Sequence, residues 1–244
     1  MQALEIDNSL AEAHTSLGLV KEHYEWDWTG AEKEFKRGIE LNPNSATAHL
    51  WYGDFLSNTG RLEQGLSETR KARELDPLSL IINTTLGWQL YLSQQYDPAV
   101  EQLRSVLEID PKFAPARRIL EGVYSQIGKQ KEAVAEREKF VSLSGSPELA
   151  ASIEEDFSKS GYNGVLQSWL DGMTEISKHG YVSSYDIAEI YCRMGKKDQA
   201  LAWLEKAYEE RDSGLVSLGV DPLFNPLRPE MRFRTLLKRL GLSS

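Results

Sequence analysis

The chain holds one cysteine, Cys192, in 244 residues. A lone thiol cannot close an internal disulfide, so a reducing compartment is the expected setting. No apolar run approaches the roughly 18 residues that span a bilayer, and the opening MQALEIDNSL has neither a basic leader nor an apolar signal core. A cytoplasmic location away from membranes is therefore expected. Basic residues are outnumbered, 28 Lys and Arg against 37 Asp and Glu, for a formal charge of −9. Such a balance repels phosphate backbones and argues against a general nucleic-acid role. Asn83-Thr84-Thr85 matches the glycosylation triplet, but without a signal peptide so short a match carries no weight.

What is present is a period. Leu41-Asn42-Pro43, Leu75-Asp76-Pro77 and Ile109-Asp110-Pro111 recur every 34 residues, as do the small residues Ala31, Gly65, Ala99 and Ala133. Gly60, Gln94, Gly128, Gly161 and Gly195 step by 34, 34, 33 and 34. A repeat of roughly 20 to 50 residues marks a solenoid or similar array. Two helices fit in each period: small residues let neighbouring helices approach, the residue at the stepped position turns the chain, and proline follows the second helix, which it cannot continue.

The pattern Leu86-Gly87, Leu90, Tyr96, Ala99, Leu103, Val106 and Pro111, with Ile187-Ala188, Tyr191, Gly195, Ala200, Leu204 and Ala207 further on, resembles the tetratricopeptide repeat family. The resemblance implies an all-α fold, a right-handed α-solenoid of antiparallel helix pairs with a C-terminal capping helix. Four repeats are expected over 11–146 and another over 181–212, with a degenerate hairpin at 147–180 that keeps Ser160 to Gly164 as a turn but places Leu166 and Met173 where small residues belong. Residues 1–10, with Ala3, Leu4, Ile6 and Asp7, read as the tail of a preceding helix, so a longer natural chain is expected upstream. In the closing segment 213–244, Phe233, Leu236, Leu237 and Leu240 form one stripe of a capping helix, and Arg232, Arg234, Lys238 and Arg239 face outward.

Catalytic signals are scarce. His14 and His49 share one repeat position and read as packed inside hairpins, while His23 and His179 lack partners at zinc spacing, so no metal is expected. Cys192 lies between Tyr191 and Arg193 without the marks of an activated nucleophile. The stretch Gly161 to Gly164 follows a helix and lacks the lysine of a phosphate cradle. Glu154-Glu155 and Glu209-Glu210 are helix neighbours that point apart. The chain is read as non-enzymatic and without cofactor, an unrecognised enzyme being the remote alternative.

The resemblance places the binding surface on the concave face, lined by first helices. Carrying the family's groove positions over gives Thr47, Asp54 and Asn58 in one repeat, Thr84, Trp88 and Tyr91 in the next, and Arg118 and Gln126 in the third. Trp88 and Tyr91, three apart, share a helix face and form an aromatic floor between Asp54 and Arg118, a composition suited to a protein or peptide partner. The alternative is that both rings pack between helices. Thr15 and Leu19 stand where a clamp for a partner's terminal carboxylate would need lysine and asparagine, so that partner class is not expected.

Segments such as DWTGAEKEFKRGIELNPNSATAHLWYG and VDPLFNPLRPEMRF are similar to the C-terminal repeat arrays of large bacterial signalling proteins, which follow winged-helix, nucleotide-cyclase or protein-kinase domains. That similarity implies a scaffold within a larger regulatory protein, or a module that self-associates or controls an upstream domain. One stretch departs from the period: Gly18 and Gly53 are 35 apart, and the extra residue falls at Glu25-Trp26. There Trp28 reads as core, Thr29 and Glu32 as a capping box, and Trp26 as a lid on an enlarged turn or, alternatively, a partner contact.

Overall fold

The computed structural model describes residues 9–143 and 147–242; Ala3, Leu4, Ile6 and Asp7, expected to end an earlier helix, lie outside the described residues. Twelve helices alternate along the described chain: α1 Ala11–Val20, α2 Trp28–Leu41, α3 Ala46–Asn58, α4 Leu62–Leu75, α5 Leu80–Leu92, α6 Tyr96–Ile109, α7 Ala114–Gln126, α8 Gln130–Leu143, α9 Pro147–Ile176, α10 Ser184–Arg193, α11 Lys197–Glu209 and α12 Met231–Leu240. Two 3-10 turns, Ser213–Ser217 and Pro222–Leu227, link the last pair. The fold is the expected all-α right-handed solenoid.

Local chemistry explains the boundaries. Ser45, Ser79 and Ser183 each cap a first helix by accepting from the amide three residues on, satisfying a donor that the helix leaves free. At the stepped turn positions the backbone is left-handed throughout, with φ of 85° at Gly60, 58° at Gln94, 75° at Gly128, 65° at Gly161 and 72° at Gly195. Glycine suits this conformation because it has no Cβ to clash. In the degenerate unit only this feature survives: α9 is helical on both sides of Gly161 and breaks there, with Leu166 buried beyond the break.

Close approach sets the spacing inside a pair. A Cβ on Gly53 of α3 would fall 2.4 Å from Thr69 Oγ1 and 2.9 Å from the Gly65 carbonyl of α4, so the two helices need the paired glycines. Ala31, Ala99, Ala133 and Ala200 occupy the corresponding small position of other second helices and are fully buried.

The first repeat absorbs its extra residue in a π-helical turn, Lys21–Glu25, a form that inserts a residue without ending the helix. Trp26 then takes the left-handed conformation at φ 56°, in the place where Gly60 turns the next repeat. The expected capping box is not formed. Asp27 is the cap, its Oδ1 accepting from Gly30 N at 2.9 Å, so α2 starts ahead of Thr29, and Glu32 Oε1 instead accepts from Arg61 Nη1 at 2.8 Å.

The capping helix behaves as its stripe requires. Phe233, Leu236, Leu237 and Leu240 are buried against Leu201, Leu204 and Ala207 of α11, and full burial of each large side chain contributes about 1.5–3 kcal/mol. Two of its arginines turn back onto the protein: Arg232 forms a forked pair with Glu205 at 2.8 and 2.9 Å, and Arg239 lies 4.0 Å over the Tyr208 ring.

The C-terminal segment also reaches the first repeat. Trp28 Nε1 donates to the Leu240 carbonyl at 2.7 Å, Arg211 Nη1 donates to the Tyr24 carbonyl at 2.7 Å, and Trp26 stacks on Tyr208 at 5.0 Å. The first repeat thereby meets the C-terminal segment, and the expected concave groove has that segment as one wall. Trp26 is accounted for by this contact.

Candidate functional site

The concave face holds a half-open cavity of about 450 Å³. Asp54 and Asn58 enter it from α3, Trp88 and Tyr91 from α5, and Arg118 from α7; the far side is built by α10 and by residues 212–223. Five of the eight residues expected in the groove thus meet in one cavity. The other three do not line it. Thr47 is exposed, Thr84 is buried with its hydroxyl lacking a hydrogen-bond partner, and Gln126 is half-buried outside the lining. Thr84 is buried in the packed interior, as Leu50 is one repeat earlier, whereas Arg118 and Tyr185 at the same repeat position reach the cavity.

Trp88 and Tyr91 stack with centroids 5.2 Å apart, and the two expectations for them divide. Tyr91 is buried, and its hydroxyl donates to Asp221 Oδ1 at 2.9 Å. Trp88 stays half-buried and lines the cavity. Arg118 is not free: its Nη2 contacts Asp186 Oδ1 at 2.5 Å and lies 3.8 Å from Glu189 Oε2.

Residues 181–223 supply the half of the site that was not expected. Tyr185, Glu189 and Arg193 of α10 stand 135 residues after Leu50, Asp54 and Asn58. Carrying the groove positions into the last repeat would have found them. Asp212 and Asp221 lie outside any repeat, and no periodic signal marks them. Asp212 Oδ2 accepts from Ser183 Oγ at 2.7 Å and from Tyr185 N at 3.1 Å, tying the loop to the start of α10. Asp221 caps the second 3-10 turn, accepting from Leu223 N at 2.8 Å.

The cavity is acidic. Among the described residues, Asp54, Asp186, Glu189, Asp212 and Asp221 face it against two guanidiniums, Arg118 and Arg193, and no lysine, histidine or cysteine lines it. Arg118 balances Asp186 and Glu189, while Arg193 Nη1 donates to Glu121 Oε1 at 2.8 Å on the outer side. Burial pushes the Glu189 carboxyl up to about 7 and the Asp54 carboxyl up to about 6. Behind Asp54 lies Glu22, fully buried, accepting from Asn58 Nδ2 at 2.9 Å. Burial, reinforced by the Asp54 charge, pushes it up to about 8.

His14, His49 and the thiol are held in structural contacts. His14 Nδ1 lies 2.6 Å from Glu34 Oε2 and His49 Nδ1 lies 2.6 Å from Glu68 Oε2, each joining the two helices of its hairpin. Among the described residues no group of three His, Cys, Asp or Glu is placed to hold a metal ion. Cys192 Sγ donates to the Leu223 carbonyl at 3.2 Å, and burial pushes its thiol up to about 12, far from the thiolate a nucleophile needs. No helix among the described residues is long and apolar enough to cross a membrane.

Residues 34–66 and 182–212 match sequence profiles of the tetratricopeptide repeat. Anaphase-promoting complex subunit 3 of Dictyostelium discoideum is 26% identical over 99 residues, 40% of this chain and 10% of that protein. The small glutamine-rich tetratricopeptide repeat-containing protein 2 of Mycosarcoma maydis is 26% identical over 109 residues, 45% of this chain and 31% of that protein. The chain thus spans less than a third of these relatives' length. Among solved structures, a thermophilic tetratricopeptide-repeat protein of Thermus thermophilus superposes with a TM-score of 0.53 over 95% of this chain and 97% of its own, at 18% identity. Two stretches of the chain thus match the tetratricopeptide repeat, and the described helices share the fold of that solved structure.

Proposed function

We propose that the chain is a non-enzymatic tetratricopeptide-repeat scaffold that captures a protein or peptide partner at its concave cavity. The observation that carries the reading is the convergence of Asp54, Asn58, Trp88, Tyr91 and Arg118, from three successive first helices, on one space of about 450 Å³. A half-buried indole beside fixed charges is the composition of a recognition hot spot. The cavity is too small for a whole helix, so it takes a side chain or a short turn of the partner while the rim holds the rest.

Panning a random-peptide display library on the purified protein tests this. Enriched sequences should bind the wild type and lose affinity for Trp88→Ala, with folding checked by circular dichroism. Absence of enrichment, or enrichment indifferent to Trp88→Ala, overturns the reading.

A second reading is a regulatory or self-association module of a larger signalling protein. It rests on the resemblance of segments such as DWTGAEKEF and VDPLFNPLRP to the arrays of such proteins and on Leu10 and Val20, which leave apolar surface exposed at the first hairpin. Light scattering tests its self-association part: a dimer that Val20→Asp dissociates supports it, and a monomer at all concentrations refutes that part.

A further inference from the structure

We infer that the cavity selects a positively charged side chain of the partner, a lysine or arginine seated between Asp54 and the face of Trp88. This rests on the proposed binding role of the cavity and specifies its chemistry.

The charges of the cavity are unevenly matched. Arg118 is committed to Asp186 and Glu189, and Arg193 to Glu121. Asp212 and Asp221 are held by backbone amides and hydroxyls of the same fold. Asp54 is different. Among the described residues it has no cation within ion-pairing distance and only a hydrogen bond of 3.4 Å from Asn58 Nδ2, an amide that also serves Glu22 at 2.9 Å. A half-buried carboxylate with so little compensation gains from an arriving counter-charge.

The geometry favours a cation further. Trp88 is half-buried, backed on one side by Tyr91 at 5.2 Å, and lines the same cavity as Asp54. An indole face attracts ammonium and guanidinium groups, most strongly when water is excluded. Behind Asp54, Glu22 is fully buried and lies outside the cavity lining, so it brings no counter-charge to Asp54. An acidic partner side chain would meet Asp54, Asp212 and Asp221 unpaired by any free cation, and an apolar one would leave Asp54 desolvated.

The test uses trilysine, triarginine and triglutamate titrated into the full chain, followed by isothermal calorimetry. Trilysine and triarginine should bind, triglutamate should not, and Asp54→Asn should weaken the basic peptides about tenfold, the size of one charge-assisted contact. Glu63→Gln, on an exposed position of α4 that changes net charge equally, should leave them unchanged. Trp88→Leu should weaken binding as well, which keeps the test open if Asp54→Asn folds poorly. Equal loss in Asp54→Asn and Glu63→Gln, or equal binding of basic and acidic peptides, overturns the inference. Library-selected peptides that depend on Trp88 yet carry no basic residue would also overturn it while leaving the binding cavity standing. Failure to select any peptide would instead overturn the cavity's binding role itself.

Discussion

Trp28 Nε1 donates a hydrogen bond of 2.7 Å to the carbonyl of Leu240, 212 residues later in the chain, and so joins the second helix of the first repeat to the last turn of the capping helix. A solenoid whose repeats contact only their neighbours has a stability that sums along its length. This contact makes the two ends interdependent. Trp28→Phe keeps a ring beside Phe55 but removes the donor, and it should lower stability by about 1 kcal/mol. Hydrogen exchange should show faster opening of 231–240 in that variant, while α5 and α6 keep their protection.

The stack of Trp26 on Tyr208, with Arg211 5.0 Å from the indole centroid, is a second weld at the same seam. A double-mutant cycle of Trp26→Ala and Tyr208→Ala should give a coupling of about 0.5–1.5 kcal/mol by urea denaturation. A coupling of zero would mean that the ends do not hold each other in solution.

Backbone conformation alone sets the cost at the turns. A Cβ on Gly128 or Gly195 would meet nothing within 4 Å, yet both have φ above 70°. Gly128→Ala and Gly195→Ala should each destabilise by about 1 kcal/mol through the left-handed conformation, without steric clash. Thermal melts would register this as a fall in Tm with an unchanged circular dichroism spectrum.

The buried Glu22 carboxyl and the half-buried Asp54 carboxyl give stability a definite pH slope. Burial, with Asp54 as neighbour, raises Glu22 from 4.5 to about 8, and burial raises Asp54 from 3.8 to about 6. Between those values the folded chain binds more protons than the unfolded one, so these groups favour folding at low pH and lose that advantage as pH rises toward 8. Glu22→Gln keeps an acceptor for Asn58 and removes the ionisation. It should be more stable than wild type at pH 8, by a margin on the order of a few kcal/mol that shrinks toward pH 5. Denaturation midpoints across that range check the sign.

How far the sequence reaches depends on whether a feature is set locally. The turn positions from Gly60 to Gly195 and the helix pairs between them follow from a backbone requirement met within a few residues, and the period exposes them. Asp54, Trp88 and Arg118 could be assigned to one face by carrying over the groove positions that the resemblance implies. The long-range contacts could not. Trp28 with Leu240, Tyr24 with Arg211 and Tyr91 with Asp221 pair across 212, 187 and 130 residues, and no periodicity links such partners. The cavity wall from Asp212 to Leu223 was therefore invisible, and so was the reason for a tryptophan at position 26. Thr29 and Glu32 mislead as a capping box because Asp27, two residues earlier, competes for the same free amides and wins with a 2.9 Å bond to Gly30.

The most direct measurement is the affinity of a library-selected peptide for Trp88→Ala and for Thr47→Ala, both by calorimetry. Trp88 lines the cavity, whereas Thr47 shares the first helix layer but stands outside it. Recognition by the cavity is expected to cost Trp88→Ala about tenfold or more in Kd and to leave Thr47→Ala at the wild-type value. Equal affinities in the two variants, or a loss confined to Thr47→Ala, would contradict it.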